Sequence, residues 1–187
     1  MTKTEEAILY AVFAHAGATR KGKAKPYVLH PLEAMTIAAG VTEDEDVLAA
    51  AALHDVVEDT SATREDVRRL FGERVAALVA AESEDKREDR PAAETWQLRK
   101  QETVDHLREL DRDAKLICLG DKLSNLREIA RDYEKFGEEF WQRFNQQDPA
   151  MHGWYYRSIF KVLEEEFGGT DAIAEYRALL DRVFGPC

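Results

Sequence analysis

The sequence predicts an all-α protein in which one helical bundle spans residues 1–187. Three observations carry this. Apolar residues recur at helical spacing along nearly the whole chain, whereas the alternation typical of strands is almost absent. Glycine and proline fall where helices would stop and start. The 187 residues, 44% of them hydrophobic, are enough for one core, and neither an internal repeat nor a linker divides them.

The elements follow in order. Residues 5–15 carry apolar side chains at helical spacing and stop at Gly17; a loop rich in Lys and Gly follows over 18–29. Pro31 suits the first turn of the next helix, where a missing N–H costs nothing, and that helix ends near Gly40. A third helix is predicted over 44–58, built on the apolar run from Val47 to Leu53. Thr63-Arg64-Glu65-Asp66 resembles a capping box with Asp in place of the usual Glu or Gln, and opens a helix that ends near Phe71-Gly72. A short helix covers 73–81. Residues 82–93 are densely charged and read most simply as a solvated loop, with a lid over a site as the alternative. Helices are then predicted over 94–110, 113–133, 137–144, 149–167 and 170–184.

The net charge of −11 argues against nucleic acid or an anionic membrane surface as a partner. No apolar stretch is long enough to span a bilayer. The start, MTKTEEAILYAVFAHAG, lacks a basic segment followed by a cleavage site, which argues against secretion. Two cysteines do not make a disulfide framework, and Cys118, within Leu116-Ile117-Cys118-Leu119, reads as a small core residue. A cytoplasmic protein is expected.

The chemistry concentrates in AALHDVVEDT. On a helix His54 stacks one turn below Glu58, and Asp55 one turn below Asp59. A His beside an Asp offers neutral nitrogen and anionic oxygen to a divalent cation, and a Glu-Asp pair one turn along can handle the protons of a water. Two ligands do not hold a catalytic metal, so others must come from elsewhere. His30 precedes Pro31, whose ring restricts the backbone there and so limits where the imidazole can point. Asp121 interrupts the apolar face of LICLGDKLSNLREI, where an unpaired carboxylate would be costly and a cation would remove the cost. Two nitrogens and two oxygens from His30, His54, Asp55 and Asp121 suit Mn²⁺ or Fe²⁺ better than tetrahedral structural zinc. Arg20, Lys21, Lys23 and Lys25 form a positive loop on this acidic chain, able to hold a polyanionic nucleotide or simply solvated.

In order along the chain stand Ala14-His15-Ala16-Gly17, Arg20-Lys21, Pro26-Tyr27-Val28-Leu29-His30-Pro31, His54-Asp55-Val56-Val57-Glu58-Asp59-Thr60, Phe71-Gly72 and Asp121-Lys122-Leu123-Ser124-Asn125-Leu126-Arg127. This set resembles the HD-domain metal-dependent phosphohydrolases. More narrowly, it resembles the (p)ppGpp hydrolase domain of the Rel/Spo family in its stand-alone form, the small alarmone hydrolases. The resemblance implies an all-α HD-domain bundle and a Mn²⁺ ion held by His30, His54, Asp55 and Asp121. It implies that Glu58 and Asp59 position and deprotonate the attacking water or protonate the leaving group. It also implies that Arg20 and Lys21 contact the nucleotide, Arg20 against the base, and that Asn125 bonds the ribose. The reaction implied takes pyrophosphate from the 3′ oxygen of a small-molecule nucleotide, ppGpp, leaving GDP.

The chain departs from the family pattern in four places. The segment between Arg20 and His30 is one residue longer, Ala18 stands where Gln is common, Gly120 where Ala is frequent and Lys122 where Arg is often found. Two other readings stay open: the same chemistry on another nucleotide, such as the 2′ phosphate of NADPH or a nucleoside phosphate, and a nucleotide-sensing module without turnover. Asn125 could equally bond between helices, and His15 is either near the site or packed in the core. His106 and His152 read as surface residues, and Trp154-Tyr155-Tyr156 as core.

Overall fold

The computed structural model describes residues 1–82 and 90–186, which form α-helices joined by short turns. Among the described residues no strand forms, and Thr19 and Pro26 make an isolated antiparallel bridge. Residues 83–89, most of the charged segment expected as loop or lid, lie outside the described residues. The helices are α1 (Lys3–Ala14), α2 (Leu29–Ala39), α3 (Glu45–Leu53), α4 (Val56–Asp59), α5 (Arg64–Phe71), α6 (Glu73–Ala81), α7 (Ala92–Glu109), α8 (Arg112–Phe136), α9 (Pro149–Phe167) and α10 (Asp171–Phe184), with a 3₁₀ segment over Gly137–Arg143. The chain divides into two compact units. The first comprises Met1–Ser83 and Asp111–Ser124, the second Glu84–Leu110 and Asn125–Cys187.

In the first unit α3 is the central element, packed against α1, α2 and α6. Ala49 through Leu53 are completely buried, so α3 has no solvent face along this run. The alanines let neighbouring helices approach on every side, because a methyl group adds little to the helix radius. The first half of α8 contributes Leu116, Ile117, Leu119 and Leu123, also completely buried. Its backbone comes unusually close to α2: a Cβ added at Gly120 would lie 2.5 Å from the Ala34 carbonyl oxygen. The predicted capping box opens α5 as expected: the Thr63 hydroxyl accepts from the Asp66 N–H, and the Asp66 carboxylate accepts from the Thr63 N–H. Arg74 on α6 joins Asp44, the N-cap of α3, to Asp113 in the first turn of α8, at 2.9 and 2.7 Å.

In the second unit α9 packs against α7 and α10. Trp96, Trp141, Phe144 and His152 cluster there, with Trp141 5.0 Å and Trp96 5.3 Å from the His152 ring centroid. His152 is buried, not at the surface as the sequence reading has it. Its Nε2–H donates to the Gln146 carbonyl, and burial pushes its pKa below the usual value. Residues 137–144 were expected as an α-helix and form a 3₁₀ turn that buries Phe140 and Trp141. Gly137, with φ of 57°, ends α8 in a conformation that favours glycine.

The third predicted helix is two. α3 stops at Leu53 and α4 restarts at Val56, so the His54-Asp55 pair sits at the break. The Ala51 carbonyl, which a continuous helix would pair with the Asp55 N–H, accepts from the His54 ring at 2.8 Å. The break turns the imidazole back along α3.

Candidate metal centre

His30 in the first turn of α2, His54 and Asp55 at the α3–α4 break, and Asp121 in the first half of α8 converge within the first unit. His30, His54 and Asp121 are buried, and each offers a ligand atom within 4.8 Å of the others. Asp55 completes the group: its Oδ2 lies 3.2 Å from His54 Nε2 and 3.5 Å from His30 Nε2. Asp121 Oδ1 lies 3.0 Å from His30 Nε2 and 3.8 Å from His54 Nε2. Its other oxygen accepts from Lys122, so Asp121 makes an ion pair through one oxygen and faces the histidines with the other.

The protons on the imidazoles can be assigned from their partners. His54 Nδ1 faces the Ala51 carbonyl, which can only accept, so Nδ1 carries hydrogen. His54 Nε2 is buried with no hydrogen-bond partner among the described residues, although both carboxylates face it. Burial opposes charge on His54, but Asp55 and Asp121 more than offset it and raise its pKa to about 10. Burial likewise opposes charge on Asp55 and Asp121. The His54 imidazolium beside Asp55, and the Lys122 ammonium with the histidines beside Asp121, nevertheless hold both carboxyls well below the usual range. Nitrogen lone pairs aimed at carboxylate oxygens repel unless a positive charge lies between them. A proton can supply that charge, and so can a divalent cation, for which N₂O₂ donors are suited. The residues present therefore fit a divalent metal.

The other predicted residues are placed as follows. Glu58 and Asp59 are exposed on α4, within one turn of Asp55. Arg20 packs its guanidinium over the Tyr27 ring, 5.5 Å from the centroid, and Lys21 is exposed beside it. Their loop is pinned: the Arg20 N–H donates to the Lys25 carbonyl and the Tyr27 N–H to the Ala18 carbonyl, both at 2.9 Å. Asn125 follows Asp121 by one turn on α8, where the second unit begins.

Four residues that shape the centre were not singled out from sequence. The Tyr27 hydroxyl donates to Asp55 Oδ2 at 2.8 Å, and burial together with the Asp55 and Asp59 carboxylates raises its pKa strongly. Its place three residues before His30 was a usable signal. Ser124 and Glu33 form a chain to His30 Nδ1, for which sequence held no signal because Ser124 is 94 residues away from His30. Glu82, at the C-cap of α6, feels Asp121 and Asp55 as well as Lys122 and His54, and burial lifts its carboxyl to about 7. His15, which the sequence left between the site and the core, is buried and packs against the Tyr27 ring at 5.0 Å; burial lowers its pKa despite the nearby Asp55 and Asp59.

Comparison with known proteins places these features. The HD domain family model matches residues 7–145. The guanosine-3′,5′-bis(diphosphate) 3′-pyrophosphohydrolase MESH1 of Drosophila melanogaster is 42% identical over 130 residues, covering 68% of this chain and 69% of that protein. The bifunctional (p)ppGpp synthase/hydrolase SpoT of Escherichia coli strain K12 is 46% identical over 77 residues, 41% of this chain and 11% of that much longer protein. A solved structure of a metazoan ortholog of SpoT that hydrolyses ppGpp superposes with a TM-score of 0.79 at 31% identity, over 100% of this chain and 98% of that one.

Proposed function

Because the chain belongs to the HD-domain family and is a hydrolase of that family, we propose that it removes the 3′ pyrophosphate of (p)ppGpp, giving GDP or GTP, with Mn²⁺ as its metal. The observation that carries this reading is the convergence of His30, His54, Asp55 and Asp121 in a chain resembling ppGpp hydrolases over most of its length. When bound, the cation would acidify water and offset charge on the phosphoryl oxygens.

The chain's own residues do the rest. His30, His54, Asp55 and Asp121 hold the metal; Tyr27 fixes Asp55, and Lys122 fixes the outer oxygen of Asp121. Glu58 and Asp59, on the exposed side of α4, position and deprotonate the water or protonate the 3′ oxygen as its bond to phosphorus breaks. Water oxygen joins the departing phosphorus, and a proton ends on the 3′ oxygen. Arg20, braced on Tyr27, meets the base; Lys21 contacts the nucleotide beside it; and Asn125 bonds the ribose. We take residues 1–187 as one domain, a reading supported by the family match over 7–145, which crosses from one compact unit into the other. The setting this implies is cytoplasmic turnover of the alarmone of the stringent response. No helix among the described residues is long and apolar enough to cross a membrane.

The test is hydrolysis by metal-stripped protein resupplied with Mn²⁺ and given ppGpp, pppGpp, NADPH, GTP and dGTP separately. GDP plus pyrophosphate from ppGpp, absent with Asp55→Ala, is the expected result. Orthophosphate from NADPH or another nucleotide would move the substrate. Metal binding without any turnover would replace the enzyme with a nucleotide sensor.

A further inference from the structure

His30 Nδ1 lies 2.9 Å from Ser124 Oγ, and Ser124 Oγ lies 2.7 Å from Glu33 Oε2. A serine hydroxyl has one hydrogen, and an ionised carboxylate only accepts. That hydrogen therefore goes to Glu33, leaving Ser124 Oγ to accept from a hydrogen on His30 Nδ1. The chain Glu33–Ser124–His30 thus fixes which imidazole nitrogen is protonated and leaves Nε2 facing Asp121 and Asp55. We infer that Glu33 and Ser124 are positioning residues that hold His30 in its metal-binding tautomer and raise the donor strength of Nε2.

The surrounding fold supports this. Glu33 is one turn after His30 on α2, so both side chains face the same side, where α8 passes. A serine is short, and it spans from α8 to both only because the two backbones approach so closely at Gly120 and Ala34, one turn before Ser124 and one residue after Glu33. Ser124 is 2% exposed, so water does not compete for either bond. Buried helix serines commonly turn back to their own backbone, whereas this one bonds to two side chains of another helix. A carboxylate relayed to the far nitrogen of a metal-binding imidazole orients the ring and strengthens its basicity.

The inference rests on the metal reading above, and the experiment separates the two. Mn²⁺ affinity of the full-length, metal-stripped protein would be measured calorimetrically for wild type, Ser124→Ala and Glu33→Gln. Folding of each would be checked by circular dichroism. Long-range ¹H–¹⁵N spectra would report the His30 tautomer, a signature that a merely structural role would not move. We expect both variants to bind Mn²⁺ roughly 10–100-fold more weakly than wild type, with the Nδ1–H signal of His30 sharp in wild type and lost in Ser124→Ala. Glu33→Gln keeps an acceptor for Ser124 and sits at a partly exposed position, so it stays informative if Ser124→Ala fails to fold. Wild-type affinity in a folded Glu33→Gln, or an unchanged tautomer in Ser124→Ala, would overturn the inference. Failure of wild type to bind Mn²⁺ at all would overturn the metal reading beneath it.

Discussion

His54 has its Nδ1–H committed to the Ala51 carbonyl, so any proton or cation it gains must arrive at Nε2, between Asp55 and Asp121. Its pKa without metal is raised from 6.5 to about 10. The stabilisation from that proton is complete below 6.5 and is lost as pH rises through about 10. A metal competes for the same nitrogen. Mn²⁺ affinity should therefore climb about tenfold per pH unit between 7 and 9, with about one proton released on binding. Calorimetry in buffers of different ionisation enthalpy measures that release directly; pH-independent affinity would contradict it. Asp55→Ala should lose metal and turnover together, whereas Glu58→Ala should lose turnover by about 10²–10⁴-fold and keep its metal; metal content and steady-state rates separate the two. The four clustered residues, proposed here as metal ligands, were legible in the sequence because each stands in a distinctive local context, such as HP, HD or a lone Asp on an apolar face. Ser124 was opaque because a hydroxyl reveals its partner only once distant helices meet, whereas Tyr27 offered only its place three residues before His30.

Among the elements, the contact between α2 and α8 sets the geometry of the centre, since α2 brings His30 and α8 brings Asp121. Gly120→Ala would place a methyl 2.5 Å from the Ala34 carbonyl oxygen, and backbone must move to relieve it. Overpacking of this kind costs about 1–3 kcal/mol, against roughly 1 kcal/mol gained from better helix propensity. A net loss of up to about 2 kcal/mol is expected, lowering Tm by up to roughly 8 °C in differential scanning calorimetry. Weaker Mn²⁺ binding should accompany it as the helices part. Sequence periodicity located α6 and α9 to the residue, because Gly72 and Pro149 mark their starts. It missed the break between α3 and α4, since the composition of 44–58 is helical throughout and the interruption comes from the His54 ring bonding to Ala51. Gly120 read as a departure from the family pattern. In the fold it is what lets two helices touch.

For the molecule as a whole, a metal bound only by the native state adds stability through mass action. Free Mn²⁺ at about 100 times its Kd should stabilise the protein by about 2.7 kcal/mol, or roughly 5–10 °C in Tm. Chelator should reverse the shift and Asp121→Ala should abolish it; an equal shift in that variant would place the cation elsewhere. The all-α class was legible because helical periodicity runs nearly throughout. The division into two compact units was not, since each unit is assembled from two stretches of chain, and α8 passes through both without a change in composition. That discontinuity has a consequence in time. His30, His54 and Asp55 all precede the segment that belongs to the second unit, and Asp121 follows it, 66 residues after Asp55. At roughly 5–20 residues per second of synthesis, a ribosome-bound chain carries three of the four proposed ligands for about 3–13 seconds before the fourth is made. A cation met during that interval finds an unfinished grip, so durable loading belongs to the finished polypeptide.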